Sequence, residues 1–492
     1  MALSTQISRK WFCVVDLDLC AAIHAEVLAS LRPSAKEVLS LKEVSEKIIA
    51  AVQEHDVPAM LVGSVARGTW ISGDRDLDVF MLFSPDLSRE ELEVQGMSLA
   101  HAVASFFSAE GVEKYAEHPY LHMIYSEGEI SVDIDLVPCY AVSSASCILS
   151  AVDRTPFHTR YMQERIGPYT DDVLLLKQFT KSAGVYGSDL MTEGFSGYLC
   201  EVLILAYQGF LPLLRSMITW KPGFVLDIEH HQAEEFDAPL VVIDPVDPRR
   251  NVSASVSSSK LLACIEYAAG YLQDPSPLFF SLHAVPLLSR EEVVKRCSER
   301  GTAVWCIVFS TPPGPADTIV PQLRKSSESL VQLFLRSDFR PVRWDVWMGE
   351  ERCMLLFEFM EDVLPSYRRH LGPPIFAREH AERFLKMYQE SGSCLSGPYI
   401  QDGRYVVELV RKYCSVCDLI LSEQIFSVAL GKQVRVSLRE GFSLCSPALA
   451  YGPDCATFFS TYLQYASPLI RLFRERGLFR ERGLFREREV VS

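Results

Sequence analysis

The chain has 492 residues, 48% apolar and 23% charged, with a formal net charge of −15. That length supports several hydrophobic cores in about three domains, and no apolar run reaches the ~20 residues of a membrane span. The acidic balance argues against indiscriminate coating of nucleic acid, but it leaves room for a basic groove.

Fourteen cysteines are scattered without a disulfide framework, which fits a reducing cytoplasm. Cys414 and Cys417 form one C-x-x-C, with no second pair to complete a zinc site. Arg9, Lys10 and the run from Trp11 to Ile23 imitate a signal peptide, but Asp16 and Asp18 break its apolar core. Residues 1–22 are expected to be an extension ahead of the fold. Residues 24–56 read as helices, with Ser34 as a cap and Leu41, Val44, Ile48 and Val52 near helical spacing.

The stretch from Met60 to Phe83 carries the chemistry. It reads as strand, glycine turn, short helix and second strand. Asp76 and Asp78 are two apart, so in a strand both point to one face. Side-by-side carboxylates repel and call for a cation. The N–H groups after Gly63-Ser64 offer a cradle for phosphate. An isolated D-x-D is most often a solvated turn pair. Joined to Gly-Ser at this spacing, inside an apolar strand, it resembles the nucleotidyltransferases of the DNA polymerase β type. That family needs a third carboxylate on a neighbouring strand.

A helix is expected near 88–108, then paired strands over 115–125 and 129–140. From Ile130 to Leu136 the residues alternate, with Asp133 and Asp135 sharing the polar face. Asp135, just before Leu-Val-Pro-Cys-Tyr, is the third candidate ligand, and Asp133 is read as its neighbour. Residues 144–280 are mostly helical and hold the proline-rich loop Asp244–Asn251. A domain starting near 283 shows a β-α-β-β order that suggests a ferredoxin-like or RNA-recognition sandwich. The last residues repeat Gly-Leu-Phe-Arg-Glu-Arg. A six-residue period turns a helix by about 600° per unit, so the Leu-Phe pairs spiral and make no stripe. The repeat reads as a disordered duplication or, alternatively, a basic tail touching RNA.

Six motifs stand in a fixed order: Gly63-Ser64-x-Ala66-Arg67-x-Thr69-Trp70, Asp76-x-Asp78, Leu136 to Tyr140, Asp153 to Thr159, Gly197 to Glu201, and Asp244 to Asn251. Together they resemble the archaeal class I CCA-adding enzymes (tRNA nucleotidyltransferases), over about residues 24–465. The family often has Glu-x-Asp where this chain has Asp76-x-Asp78. The resemblance implies an α+β multidomain chain. A polymerase-β-type catalytic domain would cover 23–143 and a helical nucleotide-binding domain 144–282. A ferredoxin-like body with tail would cover 283–465, ahead of a repetitive extension over 466–492.

The resemblance also implies roles. Asp76, Asp78 and Asp135 would hold two Mg²⁺ ions. Gly63, Ser64 and Arg67 would receive the incoming triphosphate, with His158 and Lys177 on its oxygens. Thr155, Tyr186 and Arg250 would line the sugar and base pocket, with Arg249 the rival of Arg250. The partners would be CTP, ATP, and tRNA gripped at the acceptor stem and TΨC loop. Arg378, Arg404, Lys412 and Lys432 are candidates for that grip by charge alone. A cytoplasmic enzyme with no membrane partner is expected, and a homodimer stays open. Taken singly, His158, Lys177, Tyr186 and the arginine pair read as core, surface, turn and surface residues. Only the shared motif order raises them. The alternatives are a related poly(A) polymerase or oligoadenylate synthase, and a non-catalytic RNA-binding scaffold.

Overall fold

A computed structural model describes residues 16–115, 118–127, 130–389 and 394–475. The chain divides into two compact units. One runs to Ala284 and resumes at Ala466, and the other is Val285–Tyr465.

The first unit opens with a helix, Leu17–Leu31, whose Leu19 N–H donates to the N-cap Asp16 carboxylate at 3.0 Å. Asp16, which spoiled the signal-peptide pattern, is thus a helix cap. Cys20, Ile23, Val27 and Leu31 face the core at helical spacing and are buried. The expected boundary at 22/23 therefore falls inside a helix that belongs to the fold. The next helix, Ala35–Gln53, starts at Ser34 with a capping box to Glu37. Glu37 also accepts from the Ser72 hydroxyl at 3.1 Å and the Gly73 N–H at 3.3 Å, which holds the loop leading to Asp76.

Five strands form the catalytic sheet: β1 (Ala59–Val62), β2 (Asp76–Phe83), β3 (Gly111–Tyr115), β4 (Pro119–Glu127) and β5 (Ile130–Tyr140). Their order is β1-β2-β5-β4-β3. β2 and β5 are parallel, with Asp76 opposite Asp133 and Asp78 opposite Asp135. Leu77, Val79, Met81, Val132, Ile134 and Leu136 fill the other face, in one core with Leu41, Val44 and Ile48 and with Leu92, Leu99 and Val103 of the helix Arg89–Phe106. A one-residue slip would bury the carboxylates and expose that core, so the apolar face fixes the register of the acidic one.

The helical part of this unit packs around Phe179, Phe210, Tyr267, Tyr271 and Phe279. Two short strands, β6 (Phe224–Leu226) and β7 (Leu240–Val242), pair in parallel and lead into the loop at Asp244. No single helix among the described residues is long and apolar enough to cross a membrane. The pair Gly197–Tyr207 and Phe210–Met217 passes by composition but bends by 93°, and its apolar side chains lie in the helical core.

The second unit carries β8 (Ala303–Ser310), β9 (Pro341–Met348) and β10 (Arg352–Phe359). Three inserted strands follow, β11 (Tyr367–Pro374), β12 (Cys394–Gln401) and β13 (Arg404–Val410), and β14 (Phe442–Cys445) closes the main sheet. The order β14-β8-β10-β9 is all antiparallel, with helices Ala316–Arg336 and Lys432–Glu440 in the connections, so the expected β-α-β-β order is extended by a second helix and strand into a β-α-β-β-α-β sandwich. The inserted strands form a separate sheet, order β11-β13-β12, with the helix Arg378–Gln389.

The chain resumes in the first unit with the helix Pro468–Glu475. Leu472 is fully buried there, and Leu469 and Phe473 pack against the same core. The first Leu-Phe pair docks because Leu469 supplies the i−3 apolar neighbour that completes a face. The later pairs, 478–479 and 484–485, have Glu475 and Glu481 in that place. Those later repeats, like residues 1–15, lie outside the described residues. Leu472→Ala should lower stability by about 2–4 kcal/mol, as for a fully buried leucine. An unchanged melting midpoint would show that this helix does not dock.

Candidate active site

Gly63 directly follows β1 with φ +74°, and a Cβ there would lie 2.0 Å from Asp78 Oδ2. Only glycine lets the backbone turn this way with the carboxylate pressed against it. The Gly63–Arg67 helical turn follows, with Ser64 in its first turn and half-buried. Asp78 is the most enclosed of the acidic group. Burial first, then Asp135, pushes its carboxyl up to about 6. Asp76 is raised as well, by burial and then by Asp133.

His122 on β4 faces this group, with Nδ1 2.7 Å from Asp135 Oδ1 and Nε2 3.4 Å from Asp133 Oδ1. It orients the candidate third ligand, and no motif in the sequence marks it. Among the described residues, no three His, Cys, Asp or Glu side chains already converge as a metal cluster. The donor set nevertheless fits a divalent cation. Hard oxygen ligands occupy adjacent rungs, and two have raised affinities for a positive charge, here the proton.

Cationic residues come from the neighbouring elements. Arg67 is mostly buried, with Nε 2.8 Å from Glu201 Oε2 but without hydrogen-bond alignment. Its Nη1 donates to Thr159 Oγ1 at 3.3 Å. Glu201 also accepts the Thr69 hydroxyl. Lys177 donates from Nζ to the Thr69 carbonyl at 2.7 Å, and burial lowers its pKa. Gly197 makes room here, since a Cβ would meet the Tyr186 hydroxyl at 3.1 Å and Lys177 Nζ at 3.5 Å. Lys177 and Tyr186 therefore share one polar spot. Lys181 is one turn on from Lys177, pairs with Asp74 at 2.8 Å and lies 5.4 Å from the Tyr186 ring. The i,i+4 spacing from Lys177 was its available signal.

A third group gathers at Asp244, which is fully buried. His158 Nε2 lies 2.8 Å and Arg250 Nη1 2.7 Å from Asp244 Oδ2. The Val246 N–H donates to Oδ1 at 3.0 Å, and the Tyr198 hydroxyl at 3.4 Å. Burial alone would raise Asp244. The His158 bond and charge, with Arg250, outweigh it and hold the carboxyl down to about 2. Burial keeps His158 below its ordinary range, against the pull of Asp244.

Arg250 is thus not a free fork. One of its five donors is spent on Asp244, and its side chain stays about a third exposed at 35%. Arg249 is exposed. Both line a cavity of about 630 Å³ with Ser188, Ser196, Phe236 and Asn251. Thr155 and Tyr186, expected in the same pocket, do not line it. Thr155 begins the helix Thr155–Gln163, which carries His158 one turn later.

Three family profiles match in chain order. They are a nucleotidyltransferase domain over residues 41–158, a tRNA nucleotidyltransferase second domain over 171–281, and a CCA-adding enzyme C-terminal domain over 300–447. A CCA-adding enzyme of Methanoregula boonei is 47% identical, over 91% of this chain and 96% of its own length. Those of Methanosarcina barkeri and Haloarcula marismortui are 39% and 38% identical, over 86% and 89% of this chain. This chain belongs to the CCA-adding enzymes. It is a template-independent nucleotidyltransferase that adds CCA to tRNA. The match to the C-terminal domain separates it from other polymerases of the superfamily. Nucleotidyltransferases of this kind generally use divalent metal ions.

The Asp78 carboxyl, raised from 3.8 to about 6, favours the folded state only while it is protonated. That contribution is present below 3.8 and is lost as pH rises through about 6. Asp78→Asn in chelator should therefore gain on the order of 2 kcal/mol at pH 8, a few degrees in Tm, and less at pH 5. A loss of stability at pH 8 would mean that the carboxylate is not strained.

Proposed function

We propose that this enzyme adds C, C and A using CTP and ATP, with two Mg²⁺ ions held by Asp76, Asp78 and Asp135. The registered carboxylates, with Asp78 pressed on Gly63, carry this reading, in a chain that matches CCA-adding enzymes along most of its length. Bound there, the ions would activate the RNA 3′-hydroxyl and neutralise the leaving pyrophosphate. Gly63 and Ser64 give the backbone cradle. Arg67 and Lys177 add positive charge where the transition state gains negative charge. His158 has Nε2 committed to Asp244, which leaves its other nitrogen for a phosphate oxygen. Arg250 would read the base with its remaining donors, because cytosine and adenine both present acceptors where uracil presents an N3–H. Thr155 and Tyr186 would hold the sugar.

The tRNA acceptor stem and TΨC loop would be gripped by the second unit, where Arg378, Arg404, Lys412 and Lys432 are all exposed. A cytoplasmic setting is supported by the free thiols of the described cysteines.

The deciding experiment is incubation of tRNA lacking its 3′ end with CTP, ATP and Mg²⁺, followed by end sequencing. Ordered C, C, A addition is expected, and a homopolymer tail would overturn the reading. Asp135→Asn should abolish incorporation of both nucleotides while sparing tRNA binding. Near-wild-type rates in Mg²⁺ would remove Asp135 from the ligand set.

A further inference from the structure

Asp244 sits where two separate tasks meet. His158 comes from the helix Thr155–Gln163, Tyr198 from the helix Gly197–Tyr207, and Arg250 from the end of the loop that Asp244 begins. All three reach one carboxylate. Its two oxygens take four donors, which fills the acceptor capacity of an ionised carboxylate. His158 and Arg250 share the same oxygen, Oδ2, so neither can shift without changing the other's bond. The Tyr198 ring stacks on His158 at 4.2 Å and closes the group from one side. The backbone helps as well, since the Asp244 N–H donates to the Arg250 carbonyl at 3.0 Å.

We infer that Asp244 is a positioning residue that sets triphosphate grip and base selection together, by fixing His158 and Arg250 on one oxygen. The inference rests on the nucleotide-binding roles proposed above for those two residues. A guanidinium discriminates between base edges only if its plane is fixed. A buried, fully occupied carboxylate fixes it before the nucleotide arrives, so little ordering is left to be done on binding. The same anchor aims the free nitrogen of His158. Nucleotide affinity and rejection of UTP should therefore fall together when Asp244 is changed.

The same loop carries a natural control. Asp247 pairs with Arg154 at 2.7 Å, and it also takes the Arg249 N–H at 3.1 Å. It anchors the loop without touching His158 or the Arg250 side chain. A purely structural role for Asp244 would make the two aspartates equivalent.

The test measures equilibrium binding of CTP, ATP and UTP to the free enzyme, and single-nucleotide addition, for His158→Ala, Arg250→Ala, Asp244→Asn and Asp247→Asn. Asp244→Asn should weaken CTP and ATP binding by roughly ten- to a hundredfold and narrow the CTP-over-UTP preference by about tenfold, the scale of a lost charged hydrogen bond. In that background His158→Ala and Arg250→Ala should add little, because their effects pass through the same anchor. Asp247→Asn should lower Tm and leave UTP rejection intact. If the His158 and Arg250 variants bind and select as wild type does, the nucleotide roles fail. If they are impaired but Asp244→Asn is not, or if Asp247→Asn loses selectivity equally, the positioning role fails. Should Asp244→Asn not fold, Asp244→Glu keeps the charge and moves it by one methylene. Retained UTP rejection there overturns the inference, and lost rejection supports it.

Discussion

The parallel pairing of β2 on β5 is the constraint from which the site follows. It sets Asp76 opposite Asp133 and Asp78 opposite Asp135, so four carboxylates crowd one end of one face. Their mutual repulsion opposes folding. The opposite face overrides it with fully buried Leu77, Val79, Met81, Val132, Ile134 and Leu136, each worth about 1.5–3 kcal/mol on burial. The repulsion is therefore stored in the fold and available to a cation. Gly63 sharpens this, because without a Cβ it allows Asp78 to sit deep enough to lose water.

A sheet that concentrates negative charge needs a positive counterpart held as firmly. The helical part of the same unit supplies it through Arg67 with Glu201, which joins distant segments, and Arg250 with Asp244, within one loop. Each cation is oriented by a carboxylate that is itself mostly buried. Such pairs give little net stability, since desolvation offsets their attraction. Removing either partner strands a charge. They are better understood as fixing geometry, and they tie α-helical elements to the loop at Asp244 and the turn at Gly63.

Much of this was legible in the sequence, for physical reasons. The strands β2 and β5 were visible because alternation of apolar and acidic residues marks a half-buried strand, and Ser34 was visible as a cap because Glu37 follows it. The ferredoxin-like order of the second unit followed from the spacing of Ala303–Ser310, Pro341–Met348 and Arg352–Phe359. Partnerships across long separations were not legible. Arg67 and Glu201 lie in different motifs, and nothing local announces their pairing. His122 looked like an ordinary strand residue until the register put it opposite Asp135. The first turn of the helix Leu17–Leu31 mimics an interrupted leader, which hides its continuity across residue 22 in the sequence. The six-residue repeat masks Leu472 as a core residue, because its apolar partner Leu469 lies just ahead of the repeat.

The pairing pattern also ranks the cations as anion sites. Arg67, Lys181 and Arg250 each already face a carboxylate, so on the proposed reading an arriving phosphate would compete with, or share, a neutralised charge. Lys177 differs. It is buried to 4% exposure and donates to the neutral Thr69 carbonyl, with Glu201 only partly offsetting its desolvation. Its lowered pKa measures a charged form that the protein alone does not fully stabilise. In the role proposed for Lys177, a triphosphate placed against it would return part of that cost. The carboxylates of β2 and β5 and the ammonium of Lys177 are in this sense the same device with opposite sign. Each is a charge the fold holds short of a counterion, and on the proposed reading a metal-bound nucleotide would present both counterions at once.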